Sequence, residues 1–124
     1  MVLLFVAVFL FFKGISGNLV GEWEIAEFRE YINDQLDMAT SILPHLRDES
    51  FEFMANGDLF YIYDGFREFV GRWESTGDGR IIIREGWDTI EWEYSLRGQE
   101  LSITFVEEWL GDTYKTILNL RRAR

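Results

Sequence analysis

The segment FEFMANGDLFYIY, residues 51–63, contains the clearest structural signal in the chain. Two short apolar runs flank Asn56-Gly57, and this dipeptide supplies the positive φ angles that a two-residue type I′ turn requires. The segment therefore predicts a β-hairpin. Outward from it, Gly next to Asp or Asn recurs between short runs of alternating apolar and polar residues. This pattern is typical of antiparallel strands joined by tight turns.

The turn residues divide the chain after position 19 into eight predicted strands. Within residues 89–96 every second side chain, beginning with Ile90, is apolar, so one face of the strand is buried and the other is solvated. Successive hairpins leave two exposed edges, and closing the sheet into a barrel removes them. We therefore predict an all-β fold, an eight-stranded antiparallel up-and-down meander that closes into a barrel. The predicted strands span residues 20–28, 50–56, 58–64, 69–75, 80–85, 88–96, 100–108 and 112–122.

Residues 30–43 break the alternation. Their apolar side chains recur at intervals of four, three and four, which is helical spacing: Ile32, Leu36, Ala39 and Leu43. The pattern predicts one short amphipathic helix between the first and second strands, ended by Pro44. A long, partly ordered loop is the alternative, because residues 33, 34, 37 and 40 are poor helix formers.

Residues 1–12, MVLLFVAVFLFF, contain no polar side chain. As a helix they would span about 18 Å, less than the roughly 30 Å hydrocarbon core of a bilayer. Gly14 and Ser16 follow in the small-x-small pattern of a signal-peptide cleavage site. The sequence thus predicts a signal peptide over residues 1–16, a mature domain over residues 17–124, a secreted or periplasmic location, and no stable membrane insertion after cleavage. A first buried strand is the alternative.

The chain is strongly acidic. Its 12 Lys and Arg residues oppose 22 Asp and Glu residues, giving a net charge of −10. Nucleic-acid binding depends on Lys and Arg neutralising phosphates, and an anionic bilayer would also repel this chain. We therefore expect neither partner.

The residue inventory also limits catalysis. There is no cysteine, and His45 is the only histidine, so thiol chemistry and a His-based metal site are disfavoured. The acidic pairs at 22/24, 91/93 and 107/108 suggest a glycosidase, which uses two carboxylates. The first two pairs face outward in the alternation, however, as ordinary surface charges do. We expect no enzymatic activity, no catalytic residues, no metal and no cofactor.

Gly21-Glu22-Trp23 is followed by the Asn-Gly hairpin and then by a second Gly-x-Trp, Gly71-Arg72-Trp73. This order resembles the small bacterial lipocalin-like domains, a family of calycin-type β-barrels often found in exported proteins. The resemblance implies that Gly21 and Trp23 begin the barrel. It also implies that Arg121 or Arg122, with Arg122 favoured, lies over the Trp23 ring and closes that end through a cation–π contact.

The inward-facing positions are rich in aromatic residues. Together with the resemblance, they predict a barrel that binds a small hydrophobic molecule, with Tyr61, Tyr63 and Tyr94 able to offer hydroxyl groups. A barrel filled by its own side chains, serving as a structural or protein-interaction module through outward Phe28, Phe60, Ile62 or Ile82, is the alternative. The predicted ligand-contacting residues are Trp23, Phe53, Trp73, Trp92, Tyr94, Ile103 and Phe105.

Overall fold

The structure is a computed structural model that describes residues 19–41 and 49–123. The predicted signal peptide, Pro44 and His45 lie outside the described residues. The described part contains nine β-strands: β1 Gly21–Ile32, β2 Gln35–Ser41, β3 Ser50–Phe53, β4 Asp58–Tyr63, β5 Phe66–Ser75, β6 Arg80–Glu85, β7 Asp88–Arg97, β8 Glu100–Trp109 and β9 Asp112–Arg122.

Eight of these strands form a closed antiparallel barrel. From β3 to β9 each strand pairs with the next in the chain, and β1 pairs with both β3 and β9. The ladder that closes the barrel runs from Trp23 opposite Arg122 to Ile32 opposite Tyr114. β2 is an extra strand that pairs with the second half of β1, beyond the part bonded to β3. The predicted all-β meander and its closure are confirmed.

The predicted helix is absent from the described part of residues 30–43, because β1 and β2 form a hairpin there. Its two turn residues, Asn33 and Asp34, have φ angles of 49° and 68°, a left-handed conformation that Asn and Asp tolerate better than most residues. The Asn33 amide nitrogen donates to Asp112 Oδ1 at 2.9 Å, and its Oδ1 accepts from the Thr113 backbone at 2.9 Å. The helix prediction was wrong. The turn at Asn33-Asp34 and the hydrogen bonds of Asn33 to Asp112 and Thr113 hold the segment as a hairpin, although its apolar residues recur at helical intervals.

A bulge in β1 corrects a second prediction. Ile25 lies opposite Leu120 whereas Glu27 lies opposite Asn119, so one extra residue is inserted in β1. Beyond the inserted residue, the side chains of β1 that were expected to face outward face inward, and those expected inward face outward. Phe28, expected to face outward, instead lies opposite Leu118 and packs against the buried core.

The up-and-down order gives the barrel two distinct ends. The packed end holds the start of β1, the end of β9 and the turns β3–β4, β5–β6 and β7–β8. The hairpin end holds the turns β1–β2, β4–β5, β6–β7 and β8–β9. The largest fully buried side chains lie from the packed end to mid-barrel: Leu19, Trp23, Phe53, Leu59, Ile81, Ile83, Leu101, Ile103 and Leu120.

Candidate functional site

The packed end is closed by residues of β1 and β9. The Arg122 guanidinium carbon lies 4.2 Å from the centre of the Trp23 ring, and Arg122 Nη1 donates to the Val20 carbonyl at 3.0 Å. The buried Trp23 indole nitrogen donates to the Leu19 carbonyl at 2.9 Å, so its polar atom is satisfied. A Cβ at Gly21 would lie 2.9 Å from Arg122 Nη1. The residues named for barrel closure therefore meet at one place.

Four predicted ligand-contacting residues lie in the packed core. Trp23, Phe53 and Ile103 are completely buried, and Trp73 is nearly so. The Phe53 and Trp73 rings meet edge to face, with centroids 5.1 Å apart, and the Trp73 indole nitrogen donates to the Met54 carbonyl at 3.0 Å. These side chains already have dense protein partners, so ligand contact through them stays a prediction.

Of the other three, Trp92 and Phe105 lie closer to the hairpin end, whereas Tyr94 lies at the height of Ile103, its partner in the β7–β8 ladder. Trp92 is 8% exposed, whereas Tyr94 and Phe105 are half-buried. The Trp92 ring stacks on Phe105 at 5.9 Å and meets the edge of Phe51 at 5.6 Å. Trp92 therefore links the packed core to the aromatic rings above it.

A continuous run of rings leads from Trp92 to the tip of the β4–β5 hairpin. Successive ring centroids lie 5.2–6.1 Å apart along Trp92, Phe51, Tyr61, Tyr63 and Phe66, which we call the aromatic series. Its exposed fraction rises from 8% at Trp92 to 66% at Phe66. Sequence reasoning missed Phe66, although the Asp64-Gly65 turn places it opposite Tyr63 in the ladder. The barrel interior thus changes from filled to open along these rings.

Tyr61 has a carboxylate partner in this region. Its hydroxyl donates to Glu49 Oε1. Burial, and then the hydrogen bond and negative charge of Glu49, raise the pKa of Tyr61 well above its usual value. The Tyr61 hydroxyl is therefore a neutral hydrogen-bond donor at physiological pH.

Two clefts lie at the hairpin end. The β4–β5 cleft has a volume of about 320 Å³ and the β8–β9 cleft about 420 Å³. Both fall in the range of small-molecule pockets. Each combines aromatic rings with carboxylates, and neither is lined by Lys or Arg. The β4–β5 cleft is lined by Phe51, Tyr61, Glu68, Phe69, Val70 and Glu85, and the β8–β9 cleft by Glu30, Glu107, Glu108, Trp109, Tyr114 and Thr116.

The barrel wall is divided next to Trp92. Backbone pairing between β7 and β8 extends only from Arg97–Glu100 to Glu93–Thr104. Above this point the two strands continue to the hairpin end without pairing to each other, while β7 still pairs with β6 and β8 with β9. The division lies on the side where Trp92 and Phe105 stack.

The acidic pairs have different surroundings. Glu22 accepts a hydrogen bond from the Ser50 hydroxyl at 2.8 Å, and Glu91 forms an ion pair with Arg80 at 3.1 Å. Glu107 and Glu108 both line the β8–β9 cleft, together with Glu30. Among the described residues, no group of three or more His, Cys, Asp or Glu side chains is arranged to hold a metal ion.

Comparison of the chain with protein-family models, with curated proteins and with solved structures finds no match. The resemblance to lipocalin-like domains therefore stays a prediction. Within residues 19–41 and 49–123, no helix is long and apolar enough to cross a membrane.

Proposed function

We propose that this protein is a non-enzymatic, lipocalin-like barrel that binds a small, flat hydrophobic molecule in the β4–β5 cleft. The proposal includes export by a signal peptide over residues 1–16. One observation carries it: inward-facing rings remain exposed at the hairpin end, although the packed end is filled. Large inward aromatic side chains that are not covered by the protein offer a surface that a ligand can cover.

The size of the available surface supports useful affinity. Full burial of an aromatic side chain is worth about 1.5–3 kcal/mol, and aromatic pairing adds about 0.5–1.5 kcal/mol. A ligand lying against Phe51 and Tyr61 would gain both terms before the cost of association. After this cost is subtracted, we expect a dissociation constant in the micromolar range, which corresponds to a binding free energy of about −8 kcal/mol.

The binding proposal is testable by isothermal titration calorimetry with 1-naphthalenemethanol, a neutral flat probe. Replacing Tyr61 by Leu removes one ring face and the hydroxyl while keeping an apolar side chain, and we expect the affinity to fall about tenfold. Tyr31→Leu is the control, since Tyr31 lies on the outer face of β1 with Lys115 over its ring. The affinity of the Tyr31→Leu variant for 1-naphthalenemethanol should differ less than twofold from that of the wild type.

Two outcomes would overturn this function. One is failure of the barrel to bind naphthalene compounds of any charge. The other is equal affinity in the wild type and the Tyr61→Leu variant, once circular dichroism has shown that the variant is folded.

A second candidate is an interaction module that uses the outer face of β4 and β5. There Phe60 and Phe69 meet edge to face at 5.7 Å, and Phe69 is 49% exposed. Arg67 covers Phe60 at 4.0 Å, which reduces the apolar surface on offer. Sedimentation velocity tests self-association through this face. A concentration-dependent dimer that Phe60→Ser disrupts would favour this candidate, because Phe60 does not line the β4–β5 cleft, and a strict monomer would count against it.

A further inference from the structure

Two inward-facing carboxylates border the rings of the β4–β5 cleft. Glu68 lies opposite Tyr61 in the β4–β5 ladder and therefore on the same face of the sheet. Glu85 ends β6, in which Ile81 and Ile83 are buried, so alternation directs it to the interior side as well. Both carboxylates line the cleft beside Phe51 and Tyr61.

The basic residues next to these carboxylates face outward. Arg67 precedes Glu68, forms an ion pair with Glu52 at 2.7 Å, and lies over the ring of Phe60 on the outer face. Arg84 precedes Glu85 and pairs with Glu74. The Arg–Glu dipeptides at 67–68 and 84–85 thus place positive charge outside the barrel and negative charge inside its mouth.

The β8–β9 cleft shows the same arrangement. Glu30 lies opposite Thr116 and Glu107 opposite Tyr114, so both carboxylates share the inner face with an aromatic ring. Arg29 precedes Glu30 and pairs with Glu27 at 3.2 Å, while Lys115 lies 5.2 Å over the outer ring of Tyr31. In this cleft too, carboxylates lie on the inner face and basic side chains on the outer face, although different strands form it.

We infer that the ligand of the β4–β5 cleft is an organic cation, an amine or quaternary ammonium carried on a flat apolar body. This inference rests on the proposed function. The aromatic walls make the cleft a binding site, and the carboxylates determine which charge it accepts. A cation gains from the faces of Tyr61 and Phe51 and from Glu68 and Glu85, whereas an anion of the same shape is repelled by both carboxylates.

The experiment compares three naphthalene probes of matched shape by calorimetry at neutral pH and low ionic strength: 1-naphthylmethylammonium, 1-naphthalenemethanol and 1-naphthoate. We expect the ammonium compound to bind at least tenfold more tightly than the alcohol, and the carboxylate most weakly. Raising the salt concentration should reduce the advantage of the ammonium compound, because ions screen charges at the mouth of the cleft.

Substitutions test whether the carboxylates of the β4–β5 cleft cause the preference for the ammonium compound. In the double variant Glu68→Gln and Glu85→Gln, ammonium affinity should fall about tenfold and alcohol affinity should stay within twofold. Glu93→Gln is the matched control, since Glu93 is an exposed carboxylate on the outer face of β7, and it should change neither affinity more than twofold.

The outcomes separate the two proposals. If the alcohol binds as tightly as the ammonium compound, or if the double variant keeps the ammonium preference, the cation inference is wrong and the binding function survives. If none of the three probes binds, both are wrong.

Discussion

The two ends of the barrel differ although the same strands build both. At the packed end Trp23 and Phe53 are completely buried, whereas at the hairpin end Phe66 is 66% and Trp109 68% exposed. All four are large aromatic residues, so composition does not explain the difference. What differs is the continuity of the strand pairing around them.

Three irregularities interrupt the regular strand pairing between the two ends. β1 has a bulge between Ile25 and Glu27, and β5 has one opposite Leu59 and Phe60 in β4. Bulges bend a strand and increase its twist. The third irregularity is the loss of pairing between β7 and β8 above Glu93. A sheet can therefore close into a barrel and still be filled at one end only.

The largest expected effect comes from comparing Trp23→Ala, which removes a ring from the packed end, with Phe66→Ala, which removes one from the hairpin end. Removal of the buried indole should lower the free energy of unfolding by about 3–5 kcal/mol, because it leaves a cavity among packed side chains. Removal of the exposed phenyl ring should cost about 0.5 kcal/mol. Urea denaturation followed by far-UV circular dichroism measures both. Phe53→Leu gives a milder packed-end change if Trp23→Ala does not fold, and similar losses at the two ends would contradict the contrast.

Gly71→Ala tests how closely β5 approaches β6 where the pairing of these two strands ends. A Cβ there would lie 2.7 Å from the Arg84 carbonyl oxygen and 3.0 Å from Ile83 Cγ2. The oxygen belongs to the β6 backbone and cannot move without disturbing the barrel wall. We expect a loss of about 1–3 kcal/mol by chemical denaturation. Ser95→Ala, at an exposed position in β7, is the control and should remain within about 0.5 kcal/mol of the wild type.

Arg122→Met tests the closure of the packed end. The substitution keeps an apolar stem but removes the stacking on Trp23 and the hydrogen bond to Val20. Thermal unfolding should show a loss of about 1–2 kcal/mol. Arg121→Met is the control because Arg121 is exposed on the same strand, and we expect it to stay within about 0.5 kcal/mol. Equal effects of the two substitutions would argue against a specific role for Arg122.

The smallest effect concerns Tyr61 at the hairpin end. Burial and Glu49 raise its folded-state pKa, so above about pH 10 the unfolded chain releases this proton while the folded chain retains it. The contribution is complete below pH 10 and declines as the pH rises further. Stability measured from pH 9 to pH 11.5 should fall less in Tyr61→Phe than in the wild type. Parallel curves would show that Tyr61 does not couple to folding.

Local sequence signals predicted most of the barrel. Asn56-Gly57 correctly marks the β3–β4 turn, but the predicted two-residue type I′ form was wrong. Only Gly57 has a positive φ angle there, and the Met54 backbone N–H donates to the Asp58 carbonyl, so the loop contains residues 55–57. Asp64-Gly65 forms the β4–β5 turn with positive φ angles at both residues. Alternation then identified the faces of regular strands such as β7, where Trp92 is buried between exposed Glu91 and Glu93. Each of these signals involves residues close together in the chain, which is why sequence reasoning could find them.

The site was less predictable. Alternation shows that a side chain faces the interior, but it does not show which part of the barrel axis is filled by protein side chains. The buried Trp23 and Phe53 were therefore placed in the same predicted ligand-contacting set as Trp92 and Phe105. The distinction depends on where strand pairing stops and where bulges occur, and these are properties of two strands together. Phe28 shows the same limit, since the β1 bulge is defined only by its register with β9.

The sequence by itself determined the eight strands of the barrel, most of their turns and the aromatic, acidic character of the chain, because these follow from backbone preferences and composition. Only the tertiary structure decided that residues 35–41 form a strand, since that segment fits a helical stripe until β1 pairs with it and Asn33 bonds to the β8–β9 hairpin. It also decided which rings remain uncovered and that Glu68 and Glu85 face the interior. Those outcomes arise from non-local register, in which a single inserted residue turns every later side chain to the opposite face.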